Sequence, residues 1–155
     1  MHTLLPKLAD LQQKTTEERF GKAIGDVSRA WNDKLDQRLK PLGLSQSKWR
    51  ALLYVSRVPA GINQTDLARM LAIEAPTLTR LVKLLEDEGW VTRRPLPGDA
   101  RCKMVRLTAK ARKTVALIEG EVIRLRAETV GRLTPDQLAA GFDAMQALQR
   151  HLDEI

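Results

Sequence analysis

The sequence predicts a mainly α fold carrying one small β-hairpin (an α+β class), and three observations predict it. Apolar residues recur every three or four positions over long stretches near both ends, from about Thr16 to Pro41 and from Thr108 onward. Two short helical segments in the middle are separated by only two or three residues, the spacing of a helix-turn-helix pair. Directly after them, a β-prone run, a dense turn and a second β-prone run read as a hairpin. With 155 residues and 43% hydrophobic content, the chain can fill one ordinary core and still have helix left over. It is therefore read as one domain over 1–155, with helical ends at 16–41 and 108–155 around a lobe at 44–107.

Residues Met1 to Thr15 mix leucine with lysine and aspartate around Pro6 and read as an arm whose order depends on what it packs against. From about Thr16, Phe20, Ile24, Val27, Trp31, Leu35 and Leu39 form the stripe of a long amphipathic helix that ends at Pro41. Leu42 and Gly43 make a turn. Ser45 then caps a helix with Trp49, Leu52, Leu53 and Val55 inward, which stops before Pro59-Ala60-Gly61. Asn63 caps a third, short helix, with Asp66 as a weak capping-box partner and Leu67, Met70 and Leu71 facing inward.

The next helix begins near Glu74 and has two distinct faces. Leu78, Leu81, Val82 and Leu85 fall at i, i+3, i+4 and i+7. Pro76, Thr79, Arg80 and Lys83 occupy the opposite face with Thr77 beside it, and no carboxylate appears there until Glu86. Proline is tolerated in the first turn because its missing N–H has no intrahelical partner, and Gly89 supplies the left-handed stop. Trp90 to Arg94 is too short and too β-prone for another helix, Pro95 to Asp99 is turn chemistry, and Arg101 to Leu107 returns with Val105 and Leu107 on one face. A hairpin placed directly after the second helix of such a pair is a wing, so the lobe is predicted to be a winged helix-turn-helix.

Thr108 caps a second long helix, with Val115, Ile118, Val122, Leu125, Thr129 and Leu133 in a roughly seven-residue repeat. Thr134-Pro135-Asp136-Gln137 combines a capping box with proline at the first helical position of a final helix lined by Leu138, Phe142, Met145, Leu148 and Leu152. These terminal helices carry more apolar stripe than one core uses, which predicts dimerisation helices and a closed homodimer.

The charge pattern points to a nucleic-acid partner. Net charge is +7 and pI about 9.9, and between Gly89 and Lys113 eight cations stand against one acid, Asp99. The exposed face of the helix after Glu74, with its hydroxyls and cations, suits phosphates and base edges. Arg93, Arg94, Lys103 and Arg106 are expected to be mixed, some touching phosphate and others raising the local potential. The single cysteine, Cys102, precludes an internal disulfide, and the two histidines, His2 and His151, lie near opposite ends, so no metal cluster and no cofactor are expected. No catalytic constellation or phosphate-cradling glycine loop is present, which argues against an enzyme. No apolar run approaches the roughly 20 residues of a membrane span, and the N-terminus lacks a signal-peptide core, so a cytoplasmic location is expected.

Beyond these physical readings, the chain resembles the MarR family of bacterial transcription regulators from about Thr16 onward. The stretch Asp99-Ala100-Arg101-Cys102-Lys103-Met104-Val105-Arg106-Leu107-Thr108 is similar to the family's D-x-R wing, its strand and the Leu-Thr start of the dimer helix. Arg38 to Leu42, Leu44 to Trp49, and Ile73 to Leu78 look closest to the SlyA-like branch. The resemblance implies a homodimer on pseudo-palindromic double-stranded DNA, recognition helices in successive major grooves and wings over the flanking minor grooves. By similarity Pro76, Thr77 and Arg80 face the major groove, Arg101 enters the minor groove and Asp99 orients the wing. Thr79 and Lys83 share that helix face. Ala100 stands where many members have a second arginine. The resemblance also implies a cleft for a small aromatic carboxylate or phenolic ligand near Arg29, Trp31, Lys48 and Trp49, where a cation beside an indole suits such a molecule. The expected function is a sequence-specific transcription regulator without catalysis, a repressor by preference. The alternatives are an activator that displaces nucleoid proteins, and a nucleoid-type or protein-binding helical module without an operator.

Overall fold

A computed structural model describes residues 15–155, so the expected arm at Met1 to Thr15 lies outside the described residues apart from Thr15 itself. Helix α1 spans Thr16–Leu39 and opens on a full capping box between Thr15 and Glu18. Pro41 does not end it abruptly; Lys40–Leu42 continue as a 3₁₀ turn closed by Gly43. Helix α2, Gln46–Ser56, is capped by Ser45, whose hydroxyl accepts from the Lys48 amide. A short strand β1, Ile62–Asn63, leads directly into α3, Gln64–Leu71. Helix α4, Ala75–Asp87, follows after three residues and is the second member of the helix-turn-helix pair. Strands β2, Val91–Leu96, and β3, Asp99–Leu107, form the wing. Helix α5 spans Ala109–Glu128, and α6 spans Pro135–Asp153 behind the predicted Thr134–Gln137 capping box.

The sheet differs from a simple hairpin. Its order is β1-β3-β2, all antiparallel, with Ile62 opposite Val105 and Arg93 opposite Val105 on the other side. The extra strand escapes a sequence reading because two residues have no periodicity. The wing is also longer than predicted: Pro95 and Leu96 belong to β2 and Asp99 to β3, leaving Pro97 and Gly98 as the turn. Proline is compatible with β2 because β2 is an edge strand and donates to no further neighbour. Gly98 takes φ 87°, a conformation that tight turns assign to glycine.

The core lies between α2, α3, α4, the sheet and the first half of α5. Leu52, Leu67, Leu78, Val82, Leu85, Val91, Val105 and Ile118 are its centre, and Leu35 and Leu39 of α1 close one side. Two inward assignments need correction. Met70 is exposed and Ala68 is buried in its stead, so the inner face of α3 runs through Leu67, Ala68 and Leu71. Leu133 is not part of α5, which ends at Glu128; Val130–Arg132 form a 3₁₀ turn and Leu133 is exposed. Asp66 completes only half of a capping box: its amide donates to Asn63 Oδ1, but its carboxylate accepts from the Asn63 side-chain amide, at 2.8 Å. Between α3 and α4, Ala72 adopts the left-handed conformation at φ 54°. This costs roughly 1 kcal/mol that glycine would avoid.

Candidate nucleic-acid interface

Burial of Leu78, Val82 and Leu85 fixes the rotation of α4 about its axis and turns Pro76, Thr77, Thr79, Arg80 and Lys83 outward. All five are exposed. Thr79 Oγ1 donates to the Ala75 carbonyl at 3.0 Å and receives Gln64 Nε2 at 3.4 Å, which ties the exposed face of α4 to the start of α3. Arg80 Nη2 donates to Thr77 Oγ1 at 3.5 Å, a contact long enough to be given up readily to a stronger acceptor.

The wing root completes this face. Asp99 Oδ1 accepts the Arg101 backbone amide at 3.0 Å, so the acid orders the turn through the main chain, while the guanidinium has no hydrogen-bond partner among the described residues. Gln64, Thr79, Asp99, Arg101 and Lys103 line one open cleft of about 730 Å³ between the N-terminal ends of α3 and α4 and the wing. The structure therefore brings Thr79, Asp99 and Arg101 together across this cleft. Helix N-termini, hydroxyls and free cations around a cleft are the chemistry that receives phosphate oxygens.

The expected mixture among the other wing cations resolves residue by residue. The Glu86 carboxylate accepts both the Arg93 amide and its guanidinium, each at 3.2 Å, so Arg93 joins the wing to α4. Arg106 Nε donates to the Ala60 carbonyl at 2.8 Å and lies over Gly61. A Cβ at Gly61, where φ is 105°, would meet that Nε at 2.9 Å, so glycine is required twice over. Arg94 and Lys103 are exposed and make no side-chain hydrogen bond among the described residues.

The C-terminal end of α4 has the opposite charge. Glu86, Asp87 and Glu88 sit where the helix dipole disfavours anions, and each is answered by a cation. Glu86 has Arg93, and Asp87 has Lys83 at 3.4 Å. Glu88 accepts from Lys48 Nζ at 2.7 Å and from Trp90 Nε1 at 3.0 Å, and its pairing with Lys48 holds its carboxyl below the usual glutamate range. Lys110 Nζ donates to the Glu88 carbonyl at 2.9 Å and sits 4.0 Å over the Trp90 ring.

A model of the MarR family matches residues 42–101, from the turn after α1 to the wing. The solved structure of the transcriptional regulator PA3341 is 34% identical to this chain, with a TM-score of 0.81 over 88% of this chain and 99% of that one. The chain belongs to the MarR family. A MarR variant from E. coli, solved in complex with operator DNA, is 25% identical, with a TM-score of 0.74 over 84% of this chain and 93% of that one. The transcriptional regulator SlyA is 21% identical, with a TM-score of 0.77 over 87% and 94%, and shares the fold. The family's winged-helix architecture is thus the one this chain adopts.

Against the MarR fold, the four residues expected to hold a ligand do not share one cavity of the protomer. Arg29 is exposed and paired with Asp26 at 2.6 Å. Trp31 lines a groove of about 510 Å³ between α1 and α5, together with Lys34 and Arg38. Lys48 lines a separate cavity of about 370 Å³ beside the outer face of α4, with Arg50, Thr77 and Arg80 and an apolar wall of Leu81 and Leu84. Trp49 is only 2% exposed, and its indole N–H donates to Asp36 Oδ1 at 3.4 Å. Sequence spacing alone cannot separate these surroundings, since which groove a side chain enters depends on how α1 and α2 cross. Gln64, which the sequence reading does not single out, also lines the candidate cleft. Its place directly after the Asn63 cap was the available signal, since a first-turn residue stays close to whatever lies beyond the helix end.

Proposed function

We propose that this chain is a cytoplasmic, sequence-specific DNA-binding transcription regulator that acts as a homodimer on a pseudo-palindromic operator, with repression the favoured sign. The observation that carries the reading is one cleft lined both by Thr79 at the start of α4 and by Arg101 at the wing root, whose guanidinium has no hydrogen-bond partner among the described residues. Pro76, Thr77, Thr79, Arg80 and Lys83 read the major groove, and Arg101, set by Asp99, enters the minor groove. The MarR variant solved on operator DNA supports this reading by its 25% identity over most of this chain. The dimer is supported by α6, whose Leu138, Phe142, Met145 and Leu152 are exposed and which has no extensive packing on any other described element of its own chain. The SlyA-like branch rests on the three short sequence matches at Arg38 to Leu42, Leu44 to Trp49 and Ile73 to Leu78.

A small aromatic carboxylate or phenol is the proposed effector class. Its support is the juxtaposition of a cation with apolar wall, at Lys48 beside Leu81 and Leu84 and at Trp31 beside Arg38. Calorimetry with salicylate-like compounds at millimolar concentration tests it, and the absence of any heat of binding counts against it.

Selection of bound sequences from a random duplex library, followed by titration at two salt concentrations, tests the DNA reading. A palindromic consensus bound with steep salt dependence is expected. Weak binding without a consensus would favour a nucleoid-type or protein-binding role. On the selected operator, Arg101→Ala is expected to cost about 1–3 kcal/mol of affinity with the dimer intact. Unchanged affinity at matched salt would remove Arg101 from the interface.

A further inference from the structure

We propose that Glu88 is a positioning residue for operator recognition, holding the C-terminal end of α4 at a set angle between α2 and α5 through Lys48, Trp90 and Lys110. The inference rests on the reading above, in which two copies place two α4 helices on successive half-sites.

Glu88 is the C-cap residue of α4, directly after Asp87, and precedes Gly89, the glycine at φ 79°. Its two carboxylate oxygens serve different elements: Oε1 receives Lys48 of α2 and Oε2 receives the Trp90 indole at the entrance to β2. Its main-chain carbonyl, left without an intrahelical partner, receives Lys110 from the first turn of α5. Lys110 is held in turn over the Trp90 ring. Thr108, the cap of α5, donates its hydroxyl to the Gly89 carbonyl at 2.7 Å and its amide to the Trp90 carbonyl at 3.0 Å. One helix end is thereby bonded to α2 and to the start of α5.

Isolated surface ion pairs contribute little, and charge pairing at this end also offsets the unfavourable position of an acid at a helix C-terminus. Two features exceed that role. Lys48 is only 18% exposed in its side chain, and the bonds converge on one residue from three elements and polarise one another. Because α5 leaves the lobe from this point toward the chain's helical end, tilting α4 against α5 requires these contacts to break together. In a dimer assembled through the helical ends, the α4–α5 angle sets the separation of the two recognition helices. Half-sites about one helical turn apart tolerate little error in that separation.

The test uses the full chain and the operator selected above, with half-sites at the selected spacing, one base pair closer and one base pair further apart, together with a duplex carrying a single half-site. Glu88→Gln keeps the side-chain shape and removes the charge that holds Lys48. Lys110→Met keeps the contact over Trp90 and removes the donor, at an exposed position where folding is not at stake. Wild type is expected to discriminate sharply between spacings. In both variants that discrimination should shrink by a factor between about two and thirty, while single half-site affinity stays within about twofold of wild type. Variants that discriminate spacing as wild type does would overturn the inference and leave the operator reading standing. An equal loss on the single half-site and the operator would also overturn it, since Glu88 would then act only on the lobe's own fold. A wild type indifferent to spacing would overturn both.

Discussion

The winged lobe and the helical ends use apolar residues in opposite ways. In the lobe, the inner faces of α2, α3 and α4, Val91 of β2 and Val105 of β3 are consumed by one another, so that Leu52, Leu67, Val82, Leu85 and Val105 are fully buried within a single protomer. At the ends, residues of equal size remain open: Val27 on α1 and, on α6, Phe142, which is 63% exposed. Both regions have strong helix signals: side-chain caps at Ser45 and Asn63 in the lobe, and capping boxes at Thr15 and Thr134 at the ends. Local signals therefore establish that a helix forms, whereas closure of an apolar face depends on what is opposite it. Among the described residues, the lobe supplies its own partners and the ends leave much of their apolar face open.

The largest effect that would sharpen this contrast is in the lobe. Leu85→Ala removes a fully buried side chain from the inner face of α4 and is expected to destabilise the protein by about 2–5 kcal/mol in chemical denaturation. A loss near zero would mean the lobe is not the closed core described. Phe142→Ala should leave the lobe's own packing untouched but weaken self-association by about 2 kcal/mol, measured by sedimentation across a concentration series. If Phe142→Ala instead lowers stability without shifting the monomer–dimer balance, α6 packs on its own chain and the contrast fails.

Capping separates the regions more finely. Thr134→Ala is expected to cost about 1 kcal/mol of stability and to increase amide exchange in the first turn of α6, which has little tertiary packing to compensate. Exchange that remains unchanged there would show that α6 is held by packing and not by its cap.

The smallest effect is electrostatic. The Arg38 guanidinium holds the Glu128 carboxyl below the usual glutamate range and bridges α1 to the end of α5. A carboxyl depressed in the folded state contributes stability above its unfolded value, and that contribution disappears as pH falls through the folded value. Wild type should therefore exceed Glu128→Gln by a small, constant margin from neutral pH down to about 5, and the margin should vanish below the usual glutamate range of about 4.3. Both groups are partly solvent-screened, so the margin stays small. A margin that grows on acidification would refute the assignment.

Most of the candidate interface was legible in the sequence because the α4 pattern is decisive: three buried aliphatic residues at helical spacing leave Pro76, Thr77, Thr79, Arg80 and Lys83 no orientation but outward. Asp99 and Arg101 were expected from the resemblance to the family's D-x-R wing, and the contact between them is local, the acid accepting the backbone amide two residues on. The ligand residues were less so. Trp31 and Trp49 look alike as aromatic positions on amphipathic helices, yet one lines a groove and the other is sealed in the core against Asp36. Arg93 and Arg94 are neighbours of identical chemistry, and only the place of Glu86 across the α4–β2 junction assigns one to structure and leaves the other at the surface.

What the sequence by itself determined is whatever depends on neighbours within a few residues. That includes the caps at Ser45, Asn63, Thr108 and Thr134, the two faces of α4, the turn at Gly98 and the basic wing. Tertiary structure alone decided the pairing of Ile62 with Val105, the exchange of Met70 for Ala68 on the inner face of α3 and the convergence on Glu88. These depend on groups far apart in the chain, brought together only when the elements pack, and no local periodicity carries that information.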